Sequence, residues 1–279
     1  MIDTATAPAR VIKIAAGKTS VHDDILACEE PLEIQMVYGH GNNRIRKNIA
    51  VTMRTPGNDA ELAVGFLFTE GIITSGSELK SNPVETGNSI AIELDESAQP
   101  ALQKLERNFY TTSSCGVCGK SSIDAVRTIG FAAGDPNNFI VHEEIIYTLP
   151  MLLRKTQDIF EQTGGLHASA LFDLTGNLLL LREDVGRHNA LDKLIGACIL
   201  TGSLPLKNRL LLLSGRASFE LIQKAAMAGI SLVAAVGAPS SLAVELAKEF
   251  DMTLIGFLRE KRFNIYSGTK RIAMGDSSV

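Results

Sequence analysis

The chain has 279 residues, of which 45% are hydrophobic and 21% charged, and its net charge is -4 at pH 7. That balance excludes a general nucleic-acid binder, which would carry a basic surface. No apolar run reaches the roughly 18 residues of a bilayer span, so no membrane insertion is expected. Four cysteines in so long a chain do not make a disulfide framework and point to a reducing, cytoplasmic setting.

Residues 1–10 lack the basic start and apolar core of a secretory signal and are expected to form a disordered tail. A β-rich N-terminal part is expected over residues 11–130. Pro31 to Tyr38 alternates apolar and polar residues as a half-buried strand does, Gly39 to Asn43 is turn material, and Ile45 to Met53 reads as a return strand. A helix with Asp59 as its cap follows, with Leu62, Phe66 and Leu67 at helical spacing before Gly71. Ser89 to Leu94 is a further short strand, and Phe131 to Asn138 is loop-like.

Residues 131–272 show the regular order of an α/β core, with a second disordered tail expected over 273–279. Glu143 to Gln162 reads as a helix kinked or split by Pro150 and ended by Gly164-Gly165. Leu166 to Phe172 and Asn177 to Leu181 form a hairpin around Asp173-Leu174-Thr175-Gly176. Helices at 188–200, 218–228 and 240–250 then alternate with strands at 209–213, 231–236 and 252–257. This pattern predicts an α/β sheet covered by helices.

Thr111 to Lys120 holds two of the four cysteines, Cys115 and Cys118, among glycines and hydroxyl residues. Such a run reads as a loop leading into a helix. An accessible thiol beside a second thiol and Lys120 is favoured as a nucleophilic thiolate. A lone Cys-x-x-Cys can be half a zinc site, a redox pair or a sulfur carrier. Zinc lacks a second such pair, and the Ser/Thr/Gly surroundings suit a thioredoxin-like motif poorly. A flexible persulfide carrier fits the composition best.

Charge clusters follow the strands of the core. Arg182 to Lys193 packs seven ionisable side chains into twelve residues where a strand hands over to a helix. It reads either as a ligand edge or as a salt-bridged turn and cap. Ser214-Gly215-Arg216 follows the next strand with a hydroxyl, a guanidinium and free backbone N–H groups, the parts of an anion site. His167 lies at a strand start beside two glycines. After the last strand, Phe257-Leu258-Arg259-Glu260-Lys261-Arg262 sets three cations beside an aromatic. Three strand ends bringing Arg to one sheet edge suggest a bulky polyanionic ligand such as a nucleotide or pterin nucleotide.

Taken together, Ser114 to Gly119, Gly165 to Ala170, Glu183 to Lys193, Ser214 to Glu220 and Gly256 to Arg259 resemble the formate dehydrogenase accessory sulfurtransferase family (FdhD/NarQ). The resemblance implies a cytoplasmic homodimer with a three-layer α/β/α sandwich similar to cytidine deaminase. It implies sulfur transfer from a cysteine desulfurase to the Mo-bis(molybdopterin guanine dinucleotide) cofactor of formate dehydrogenase. By the same resemblance Cys115 carries the persulfide and Cys118 assists, while Phe257 to Arg262 belongs to the cofactor-binding segment. Ser214 and Arg216 join that segment as contacts, with Arg187 and His188 as further candidates. Zinc deaminases use His-x-Glu and Pro-Cys-x-x-Cys. Here Ser169 stands where the Glu would be and Ser114 precedes Cys115, so deamination and a protein-bound metal are not expected.

Overall fold

The computed structural model describes residues 5–101 and 139–275. The core is a six-stranded sheet built from β8 (His167–Phe172), β9 (Leu178–Asp184), β10 (Leu210–Leu213), β11 (Leu232–Ala235), β12 (Thr253–Arg259) and β13 (Arg262–Ser267). Its order is β13-β12-β11-β10-β8-β9, with β10, β11 and β12 parallel and the three outer strands antiparallel to their neighbours. The central strands are near-continuous apolar runs because both faces are covered. Leu210, Leu212, Leu232 and Ala234 pack on one face, and Leu211, Leu213, Val233 and Ala235 on the other.

Helix α2 (Glu143–Thr156) covers the first face through Ile146, Leu149 and Leu153. The second face is covered by α4 (Arg187–Leu200), α5 (Phe219–Met227) and α6 (Ser241–Glu249). This is the three-layer α/β/α arrangement. Beyond α4 lies α1 (Asp59–Thr69), and beyond α1 a four-stranded sheet of β3 (Glu30–Tyr38), β4 (Ile45–Arg54), β5 (Val84–Thr86) and β6 (Ser89–Glu93). One apolar cluster runs from Leu32, Ile34 and Met36 through Leu62 and Leu67 to Leu191 and Leu254. The helices α1 and α4 cross with backbones almost touching: a Cβ on Gly65 would lie 1.9 Å from the Asp192 carbonyl oxygen, and one on Gly196 would lie 1.8 Å from that of Glu61. Only glycine permits this approach.

Several elements depart from the sequence reading. β1 (Thr6–Ala15) pairs with β2 (Lys18–Ala27) as a long hairpin, so residues 6–10 belong to a strand rather than a tail. Asp59 does not cap α1. Asn58 precedes the helix in a left-handed conformation, and the buried Asp59 carboxylate instead accepts three hydrogen bonds of 2.7–3.2 Å from Arg54. Pro150 lies within α2, and the chain breaks seven residues later at Gln157 before the short α3 (Asp158–Thr163), which Gly164 ends. The run after β12 turns back as a further strand that the sequence reading did not include: Arg259 pairs with Arg262 across a tight turn into β13. The remaining pair, β7 (Val141–His142) and β14 (Ile272–Ala273), forms a separate parallel two-stranded sheet. Phe131 to Asn138 lies outside the described residues.

Candidate functional site

The carboxyl ends of β10 and β12 and the start of β8 meet at one edge of the sheet, where open α/β sheets bind ligands. Past the strand ends the backbone ladder continues: Val236 N donates to Leu213 O, Gly237 N to Gly215 O, and Phe257 N to Gly237 O, at 2.8–3.0 Å. These bonds hold the 214–216 turn against the 236–237 turn and β12. Ser214 is tied to β8 twice, its N–H donating to Ala168 O at 3.0 Å and its Oγ accepting from Ala168 N at 2.8 Å. The His167 ring lies over Gly215, where a Cβ would come within 3.2 Å of Nδ1.

A cleft of about 790 Å³ opens at this edge. Its walls are Met151, Arg154 and Lys155 of α2, Phe160 and Glu161 of α3, the Gly164–His167 stretch, and Ser214, Val236 and Leu258–Glu260. Arg259 is held by its Nη1, which donates to Val236 O at 2.7 Å and to its own neighbour Leu258 O at 2.8 Å. That leaves the rest of an exposed guanidinium for an anion. Burial first, then the charges of Arg187 and His188, pull the His167 pKa below the ordinary imidazole value, against the opposing Asp184. A neutral ring at pH 7 follows.

The predicted ligand segment divides by side chain. Arg259 and Glu260 line the cleft, and Leu258 also borders it but is fully buried in the apolar cluster around α2. Phe257 sits on a β-bulge with φ of 53° and points outward, 44% exposed. Lys261 and Arg262 are exposed at the hairpin turn, and Arg216 is exposed beside the cleft without lining it. Cys115 and Cys118 lie outside the described residues. Arg154 and Lys155 went unnoticed in the sequence, although two cations in the last turn of a helix that leads to Gly164-Gly165 are a usable signal.

The Arg182–Lys193 cluster is mostly a structural knot. Arg182 forms an ion pair with Glu61 of α1. Glu183 accepts from Ile159 N and Phe160 N at the start of α3. Asp184, fully buried, is 2.7 Å from Lys193 Nζ and accepts from Gly186 N, Asn189 Nδ2 and Thr55 N. His188 lies 2.9 Å from Glu220 and 3.3 Å from Ser218 Oγ. Among the described residues no group of three or more His, Cys, Asp or Glu could hold a metal ion, and no helix is long and apolar enough to cross a membrane.

Fold and site together define an α/β/α protein with an anion-receptive cleft at the carboxyl edge of its parallel strands. The sequence profile of the FdhD/NarQ family matches residues 27–273. A protein from Streptomyces avermitilis named sulfur carrier protein FdhD is 49% identical over 276 residues, covering 95% of each chain. A protein of the same name from Mycobacterium tuberculosis is 44% identical over 282 residues, covering 96% of this chain and 99% of the other. The crystal structure of a candidate formate dehydrogenase accessory protein from Desulfotalea psychrophila shares the fold, with a TM-score of 0.73 at 22% identity over 96% of this chain and 100% of that one. The chain belongs to the FdhD/NarQ family.

Proposed function

We propose that this protein is a cytoplasmic sulfur carrier. It takes sulfane sulfur from a cysteine desulfurase and passes it to the Mo-bis(molybdopterin guanine dinucleotide) cofactor of formate dehydrogenase, acting as a homodimer. The observation that carries the reading is the cleft itself. In a chain of this family, whose relatives are named sulfur carriers, Ser214, Arg259, Arg154 and Lys155 surround a space suited to a phosphate-bearing ligand.

The chemistry balances with two thiols. The Cys115 thiolate attacks the outer sulfur of the desulfurase persulfide, the donor's S–S bond breaks, and the donor cysteine leaves as a thiolate. Cys118 then attacks the Cys115 sulfur, closes a disulfide and expels sulfide toward the cofactor's metal. A dithiol reductant resets the pair. Arg259, exposed and fixed on two carbonyls, holds cofactor phosphate while this happens.

Intact mass of the protein after incubation with a cysteine desulfurase and cysteine tests the reading. The expected gain is about one sulfur atom, reversed by reductant and absent from Cys115→Ala. No gain under conditions that load a known acceptor would move the assignment to a cofactor chaperone. Such a chaperone needs the arginines and not the cysteines, and formate dehydrogenase activation by Cys115→Ala would point to it.

A further inference from the structure

Of the cations at the strand edge, Arg187 is the one with a buried and unpartnered nitrogen. Its Nε is buried without a hydrogen-bond partner among the described residues, and no ion pair among them includes its guanidinium. Arg182, Glu183, Asp184, His188 and Lys193 are accounted for within the knot described above, and Asp192 is held by Lys224 and Thr69. A half-buried guanidinium left unpaired is costly, and an anion from outside would relieve that cost. Two further donors lie at the same sheet edge, since His167 pairs across from Asp184 and Ser214 is bonded to Ala168. The Ser214 hydroxyl accepts from Ala168 N and keeps its own proton without an acceptor among the described residues. The His167 ring is packed over Gly215 and feels Arg187 more strongly than any other charge.

We propose that Arg187, the Ser214 hydroxyl and the His167 ring form one anion subsite for a phosphoryl group. Three donors reaching in from the start of α4, the end of β10 and the start of β8 suit a tetrahedral oxyanion with several free oxygens better than a planar carboxylate. His167 and Ser214 line the same cleft as Arg259, so a ligand with two or more phosphates can meet both. The inference deepens the function proposed above and rests on it for the identity of the whole ligand. His188 is not part of the subsite, because Glu220 and Ser218 already engage its ring.

Proton linkage distinguishes this subsite from a merely structural arginine. The charged groups facing His167 are Arg187 and His188 of α4 and Asp184 at the end of β9, with Arg154, Lys155, Glu161, Arg259 and Glu260 elsewhere on the cleft wall. A bound phosphoryl group cancels the Arg187 repulsion and adds a negative charge. The ring therefore gains a proton as the anion binds, and affinity rises as pH falls through the imidazole range.

The test is a histidine-ring NMR titration of the full chain with inorganic phosphate and, separately, guanosine 5′-diphosphate. In the wild type either probe should raise the His167 pKa. Arg187→Gln should start with a higher His167 pKa, bind phosphate about tenfold or more weakly and show no further rise. Arg187→Lys should keep the charge and retain the response, which separates loss of the cation from misfolding. Tighter binding of the diphosphate than of free phosphate assigns the subsite to a nucleotide's phosphoryl group, and equal binding assigns it to free phosphate. An unmoved His167 at saturation, or an Arg187→Gln protein that binds as the wild type does, overturns the subsite. Persulfide loading of Cys115 measured on the same samples keeps the two readings apart: failed loading removes the sulfur carrier and leaves the anion response standing.

Discussion

Two regions of this protein are dense in charge, and they use it in opposite ways. Between α1, α4 and α5, Lys224 is buried with its Nζ 2.8 Å from Asp192 Oδ2 and 2.8 Å from Thr69 Oγ1, and Lys193 is buried against Asp184. At the carboxyl edge of β10 and β12, Arg187, Arg216 and Arg259 meet no carboxylate among the described residues. The first set closes on itself and joins the N-terminal sheet and α1 to the α/β core. The second is left open toward a cleft. The sequence does not separate the two sets, since Arg187 of the open one lies in the same stretch as Asp184, Asp192 and Lys193 of the closed one. What separates them is whether burial supplies an opposite charge.

Mutation should divide the two regions, most sharply at Asp192. Burial raises the Asp192 carboxyl pKa, whereas the Lys224 ammonium, opposed by its own burial, is kept protonated by Asp192 and Glu70. Asp192→Ala strands that ammonium in the core and is expected to cost about 3–5 kcal/mol in urea unfolding. Arg259→Ala, at the open edge, should change stability by less than about 0.5 kcal/mol while weakening nucleotide binding. Equal stability losses would erase the distinction between the regions. A smaller effect is expected at the helix crossing that joins them. Gly196→Ala drives a Cβ into the Glu61 carbonyl, so α1 and α4 must move apart, at about 1–3 kcal/mol. An unchanged unfolding midpoint would mean that the crossing is not packed as closely as described.

The α/β core was legible because its strands are runs such as Leu210 to Leu213, buried on both faces, between helices with clear spacing. That Ser214 and Arg259 reach one sheet edge is expected from strand order, whereas His167 stands out only at a strand start and joins them through the antiparallel β8. Three features were not legible. Arg262 to Tyr266 does not stand out as a strand because its alternation is carried only by Phe263 and Ile265 between polar residues on an edge strand. The break at Gln157 carries no glycine or proline, so the visible Pro150 drew the boundary. The roles within Arg182 to Lys193 depend on Glu61, Thr55 and Gln157, which are distant in sequence, and no local pattern reveals them.

The mildest test concerns a charge satisfied outside either region. At the β8–β9 turn the Asp173 carboxylate accepts from Thr175 N, Thr175 Oγ1, Asn177 N and Asn177 Nδ2 at 2.7–2.9 Å. Those bonds, led by the Thr175 hydroxyl and the Asn177 amide, pull its pKa from 3.8 to about 2. A carboxyl depressed in the folded state stabilises above its unfolded pKa, so its contribution is present above 3.8 and fades as pH falls toward about 2. The turn is open to solvent, which screens the interaction and keeps the effect on stability small. Carboxyl-carbon NMR should therefore give an Asp173 midpoint near 2, returning to the ordinary range when both partners are removed in Thr175→Ala, Asn177→Ala. A wild-type midpoint already at 3.8 would show that the turn does not hold its carboxylate as drawn. Its charge would then be balanced by solvent, as at any exposed carboxylate, and the turn would owe nothing to it.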